Sequence, residues 1–160
     1  MNIAILSNGN INYSTLRLKE EAEKRGHRVK VIKYKNCYVS IDERHPKVIY
    51  RGREIGNFDV FIPRIASYMT RYGTAVLRQL EMANPQAFFM NRSIAISRSR
   101  DKLRSVQLLA RAGVSIPKTV FSRNETDIDV LLDEIGGTPA IIKLARGTHG
   151  NGVVLAETIK

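Results

Sequence analysis

Apolar positions in this chain fall into short compact runs and into helical stripes, and the alternation of the two predicts most of its elements. Residues 3–6 are an apolar run of the length expected for a buried strand, 29–32 read as a second strand despite Lys30, and 58–62, apolar but for Asp59, as another buried strand. Between the first two, a helix is predicted from Ser14 or Thr15 to Arg25, stopped by Gly26 just past its last turn. Strand, helix and strand with short connections form a βαβ unit, which predicts parallel pairing. Residues 48–55 read as a small hairpin turning at Arg51-Gly52-Arg53, and Pro63 ends the strand at 58–62. A helix over 74–83 places Ala75, Val76, Leu80 and Ala83 on its apolar side, and residues 87–90 read as the next strand.

The pattern changes after Asn91. Ser93 starts a short helical stretch, and Asp101 caps a helix over 102–112 with Leu103, Val106, Leu109 and Ala110 as its apolar face. Gly113 ends it, and Val114-Ser115-Ile116-Pro117 leads to a strand predicted at 119–121. A helix over 127–135 closes at Gly136-Gly137. A buried strand at 140–142 then carries Lys143 at its end, and residues 153–155 read as a returning strand. The expected fold class is α/β: a small doubly wound parallel-sheet domain over residues 1–92, then the beginning of a second domain over 93–160.

Composition narrows the setting. A hydrophobic fraction of 43% is enough for a core, and no apolar run reaches the roughly 18 residues of a membrane span. The first residues lack the basic start of a signal peptide. Cys37 is the single cysteine, which excludes an internal disulfide framework and fits a reducing, cytoplasmic setting. His27, His45 and His149 are scattered, so metal-ligand spacing is absent and no metal ligand is predicted in this chain. The net charge of +11 is concentrated early: residues 1–92 hold 16 basic and 8 acidic side chains, the remainder 10 and 7. Such a field draws nucleotides, RNA or an acidic peptide, and a solvated basic surface is the plain alternative. There is no Trp and no basic–aromatic sheet pattern, which argues against a base-stacking RNA module.

The richest stretch chemically is 139–155. Gly147, Gly150 and Gly152 follow Lys143 between two strands, so the tip of the hairpin can bring several backbone N–H groups to one anion. A lid over phosphates with Lys143 reaching one of them is the functional reading; an ordinary tight turn is the alternative. No Gly-Lys-Ser/Thr ends the loop, so it is not a Walker A motif. The loop Ser7-Asn8-Gly9-Asn10 has only one glycine, which excludes the dinucleotide fingerprint. Arg64 follows a strand end, where open α/β sheets place ligands, and Arg64, Arg71 and Arg78 are candidates for holding an acidic peptide. Solvated arginines remain the competing explanation.

The order of these features resembles the ATP-grasp ligases. The family's elements match Asn91, Ser93, Asp101-Lys102, the run Gly113-Val114-Ser115-Ile116-Pro117-Lys118-Thr119, Lys143, and the loop from Gly147 to Gly152. The segments Ile62-Pro63-Arg64-Ile65, Tyr72 to Met82 and Arg100 to Gly113 are similar to the RimK family within that group. The resemblance implies a pre-ATP-grasp domain followed by the start of an ATP-grasp domain. It implies a ligase that activates a carboxylate with ATP as an acylphosphate and adds glutamate to the acidic C-terminal tail of a small-subunit ribosomal protein. By the same resemblance Lys102 and Lys143 contact ATP phosphates, with Lys143 catalytic. The loop residues Gly147, Thr148, His149, Gly150, Asn151 and Gly152 cover the γ-phosphate, while Arg64, Arg71 and Arg78 hold the peptide. Magnesium or manganese ligands are expected beyond Lys160, so the chain reads as an N-terminal piece that is inactive alone. A homo-oligomer is the expected assembly. The reading from another class is a non-catalytic basic module contacting an acidic peptide, the ribosome or RNA.

Overall fold

The computed structural model describes residues 1–8, 12–123, 127–144 and 152–159. The chain separates into two compact units, Met1–Ser97 and Arg98–Lys160. In the first, β1 (Asn2–Ser7), β2 (Arg28–Lys33), β6 (Val60–Pro63) and β7 (Phe88–Phe89) form a parallel sheet in the order β2-β1-β6-β7. β1 is central, and Ile3, Ala4, Ile5 and Leu6 are all buried, because layers cover both faces of a parallel sheet. Helix α1 (Tyr13–Lys24) packs on β1 and β2. Asn12 caps it by accepting from the Thr15 N–H at 3.0 Å. Its end is the predicted one: Gly26 has φ 76°, and Gly26 and His27 donate to the Glu23 and Ala22 carbonyls.

A second, antiparallel sheet joins β3 (Cys37–Ser40), β4 (Lys47–Tyr50) and β5 (Arg53–Glu54). The β4–β5 turn is where the sequence put it, with both central residues left-handed, Arg51 at φ 53° and Gly52 at φ 74°. β3 was not anticipated, since Cys-Tyr-Val-Ser is short and weakly patterned and becomes a strand only through pairing with β4. Helix α2 (Thr70–Ala83) begins a turn earlier than the expected Thr74. Its buried side is Gly73, Thr74, Val76, Leu77, Gln79 and Leu80; Ala75, expected on the apolar side, is exposed because it falls off that 3.6-residue stripe. Leu77 and Leu80 meet Ala4, Leu6, Ile32 and Phe61 in the core, where Phe61 stacks on Phe89 at 4.8 Å and meets Phe58 edge-on at 5.6 Å.

Helix α3 (Ser93–Arg100) starts at Ser93, whose N–H and hydroxyl both donate to the Glu81 carboxylate, at 2.6 and 2.8 Å. The second unit contains α4 (Lys102–Arg111), α5 (Ile128–Ile135), β8 (Ala140–Lys143) and β9 (Val153–Ala156). Asp101 caps α4 as expected, accepting from the Arg104 N–H at 3.0 Å, and Gly113 closes it at φ 72°. Two expectations fail here. Residues 119–121 form no strand: they have no pairing partner among the described residues, and Val120 and Phe121 are exposed. The strand expected to be buried at 140–142 buries only Ala140, leaving Ile141 and Ile142 54% and 60% exposed. Among the described residues β8 and β9 pair only with each other, and no third strand or covering layer there removes those side chains from water.

Candidate functional site

Candidate residues gather in two places, one in each unit. In the second unit, Lys143 ends β8 opposite Val153, and the ladder extends one step further because Leu144 donates its N–H to the Gly152 carbonyl at 2.8 Å. That bond closes the neck of the loop. Gly152 is left-handed at φ 72°, and a Cβ there would lie 2.6 Å from Leu144 Cγ, so both conformation and space require glycine. Lys102, the first residue of α4, sends its Nζ to the Leu144 carbonyl at 3.2 Å. Two residues 41 positions apart in sequence are thereby brought to one hairpin neck: the Lys102 ammonium binds the residue next to Lys143. Both lysine side chains are exposed and available to an anion. Gly147, Thr148, His149, Gly150 and Asn151 lie outside the described residues. Among the described residues, no three His, Cys, Asp or Glu side chains could hold a metal ion together.

In the first unit, Arg64 sits just past the carboxyl end of β6 and is half-buried. Its N–H donates to the Leu6 carbonyl at 2.8 Å, and its Nη2 donates to Ser14 Oγ at 2.6 Å. The Asn8 amide, just after β1, donates to the Tyr68 hydroxyl. Tyr68 and Arg71 line an open cleft of about 380 Å³ together with Met69, Tyr72 and Ala75. Arg71 and Arg78 are both exposed on α2, but seven residues of helix put Arg78 about 10 Å along the axis from Arg71. The structure therefore groups Arg71 with Tyr68 and Tyr72, and leaves Arg78 apart along the helix.

Asn8, Ser14, Thr15, Tyr68 and Tyr72 were not singled out in the sequence. The available signal was positional: polar side chains just past two strand ends of a doubly wound sheet. Ser93, matched to the family pattern, acts in the fold through its two bonds to Glu81. Cys37 is not a reactive thiol, since it is buried and desolvation pushes its pKa up to about 11.

Comparison with known proteins agrees across the chain. The RimK PreATP-grasp domain family matches residues 1–96, and the RimK-like ATP-grasp domain family matches residues 99–160. A protein named probable alpha-L-glutamate ligase from Hydrogenovibrio crunogenus is 54% identical over 158 residues, 99% of this chain and 52% of that protein. One of the same name from Vibrio vulnificus is 51% identical over 160 residues, again 52% of its length. The chain thus spans about half the length of the curated relatives it matches. Among solved structures, a RimK domain ATP-grasp protein from Sphaerobacter thermophilus superposes with a TM-score of 0.67 at 19% identity, covering 98% of this chain and 54% of that one. The ATP-grasp ligase PsnB, solved with precursor peptide PsnA2 and AMPPNP, gives a TM-score of 0.66 at 18% identity, covering 97% and 57%. A parallel pre-ATP-grasp sheet, a lysine-flanked hairpin and two consecutive family matches lead to one conclusion: the chain belongs to the RimK family of ATP-grasp proteins.

Proposed function

We propose that the whole protein is an ATP-dependent carboxylate–amine ligase that joins glutamate to the carboxylate of an acidic peptide, and that this chain supplies its peptide-holding and phosphate-holding residues. The observation that carries the reading is the Lys102 Nζ bond to the Leu144 carbonyl, which sets two ammonium-bearing residues at the neck of the glycine-containing hairpin. ATP supplies a phosphoryl group that turns a carboxylate into a better acyl donor. Lys143 and Lys102 fit the phosphates: two exposed cations neutralise charge without themselves forming a bond to the substrate. The metal partner of the nucleotide, magnesium or manganese, has no donor set among the described residues.

Arg64 and Arg71 hold the peptide's carboxylates in the first unit, and Arg78 adds a more distant charge. An acidic C-terminal tail of a small-subunit ribosomal protein is a substrate of the right charge for a chain of net +11. The relatives' shared name, probable alpha-L-glutamate ligase, supports glutamate as the amine. The reading is tested with a protein of the relatives' full length, ATP, glutamate and an acidic C-terminal peptide. Mass spectrometry should show the peptide gaining glutamate with matching ADP release. ADP release without a heavier peptide would reject the substrate assignment, and no ADP release would reject the ligase reading.

A further inference from the structure

The connections leaving the carboxyl ends of β1 and β6 diverge. β1 leads through α1 to β2 on one side of it, while β6, on its other side, leads through α2 to β7. In an open α/β sheet such a divergence opens a crevice beyond the strand ends, suited to a ligand. Three segments meet there and are tied together by the Arg64–Leu6, Arg64–Ser14 and Asn8–Tyr68 hydrogen bonds. Yet among the described residues three buried polar atoms on those same segments have no partner: Asn8 Oδ1, Thr15 Oγ1 and Arg64 Nε. Thr15 is 0% exposed, in the first turn of α1 next to the Ser14 that binds Arg64. Buried polar groups are seldom left unpaired, because each forfeits its bonds to water. One guanidinium N–H, one hydroxyl and one amide oxygen complement a carboxylate with an N–H group beside it.

We propose that this crevice is a carboxylate subsite, in which Arg64 holds one carboxylate through Nε–H while Thr15 and Asn8 fix its orientation. The Thr15 hydroxyl donates to the second carboxylate oxygen, and Asn8 Oδ1 accepts from the ligand's N–H. The inference rests on the reading of Arg64 as substrate-holding and narrows it to a single carboxylate, separate from the open cleft at Arg71. Two sources carry this chemistry: free glutamate, and a glutamate side chain of an acidic peptide.

The test is calorimetric titration of the 160-residue chain without nucleotide. The ligands are free glutamate, acetyl-Glu-Glu-Glu-amide, and the matching glutamine peptide. Binding of free glutamate identifies the amino acid as the occupant; binding of the glutamate peptide alone identifies a side chain. In either case the glutamine peptide should not bind. Arg64→Gln should weaken binding by about tenfold or more, as expected for loss of a charge-assisted bond. The charge-matched surface control Lys35→Gln should leave it unchanged. Thr15→Val should weaken it while Thr15→Ser retains it, which separates the hydroxyl from any effect of Thr15 on folding. Failure of both carboxylate ligands to bind, or equal binding by Arg64→Gln, overturns the proposal and leaves only buried water for those atoms. Since no ATP is present, that failure alongside intact ATP-dependent glutamate addition would reject the subsite alone.

Discussion

Lys143 and Arg64 are both basic side chains at strand ends, yet their surroundings set them different tasks. Lys143 stands exposed beside a closed hairpin neck, and under the proposed function its ammonium follows charge that moves onto a phosphoryl group in flight. Arg64 is tied by two hydrogen bonds and half-buried, an arrangement for holding a group still. In an enzyme of the relatives' full length, Lys143→Ala should therefore lower kcat, by about 2–4 kcal/mol of barrier if it acts like a single preorganised donor. Arg64→Ala should chiefly raise the peptide KM. Steady-state kinetics with ATP and peptide varied separately distinguish them, and a Lys143→Ala kcat within about twofold of wild type would remove it from the phosphates. Cys37 makes the opposite case of a reactive side chain silenced by its site. Its folded pKa is raised from 9.0 to about 11 by desolvation, so its contribution to stability is complete below pH 9 and is lost as pH rises through about 11. That contribution is on the order of 2 kcal/mol. Denaturant midpoints should fall over that window, and fall less in Cys37→Ala. Iodoacetamide at pH 8 should label the folded chain slowly and the unfolded chain fast.

Among the elements, α2 shows how one residue joins helix to sheet. Gly73 lies on its buried face, and a Cβ there would come 2.5 and 3.0 Å from the Cγ2 and Cδ1 of Ile65 and 3.3 Å from the ring of Tyr34. Gly73→Ala gains about 1 kcal/mol of helix propensity but overpacks a buried site, which typically costs about 1–3 kcal/mol. The expected net result is a lower urea midpoint; an unchanged midpoint would show that Ile65 can swing aside. The same glycine explains why the start of α2 was misplaced: glycine disfavours helix interiors, and its reason for being there is a tertiary contact. The rest of the doubly wound sheet was legible because the cores of β1 and β6 are apolar and β2 carries Val29, Val31 and Ile32, and because Gly26 and Gly113 act through their own backbone, and Asp101 through its own side chain, at helix ends. β3 and residues 119–121 were not legible for a common reason. Pairing decides whether a weak strand forms: Tyr38 and Val39 found β4, while Val120 and Phe121 found no partner among the described residues. At the site, the charged candidates could be named from sequence, but Asn8, Thr15 and Tyr68 needed the parallel pairing of β1 and β6 to place their segments at one end of the sheet. Burial also divides the two units. The core cluster lies wholly in Met1–Ser97, whereas no residue of α4 or α5 is buried. Amide exchange should therefore be faster across 98–160 than across 1–97, and equal protection would mean that self-association covers the second unit's apolar side chains.

Across the whole molecule, the charge surplus acts at a range that no single residue has. The chain carries +11, but the basic residues of α1 are largely matched on that helix: Arg17 pairs with Glu20 and Glu21, Lys19 with Glu23, and Lys24 and Arg25 with Glu21. Glu21 accordingly keeps its carboxyl below the usual range, with Arg25 the main cause and Lys24 next. The surplus that remains comes from side chains elsewhere, among them the exposed Arg71 and Arg78. An acidic peptide approaching this field is drawn in before it touches any side chain, which raises the association rate more than it lengthens the stay. Stopped-flow binding of a fluorescent tetraglutamate peptide should thus slow by about tenfold as the screening length drops from ~30 Å at 0.01 M salt to ~8 Å at 0.15 M. The dissociation rate should change far less, because the bonds at Arg64 lie within the protein, where screening is weak. A single-stranded oligonucleotide of equal charge provides the decisive contrast. It should share the salt-dependent approach but dissociate faster than the peptide, since under the proposed reading the peptide's carboxylates are held at Arg64. If the oligonucleotide instead dwells longer than the peptide, and Arg64→Gln leaves the peptide's dissociation rate unchanged, the charge serves nucleic acid and the acidic-peptide assignment falls.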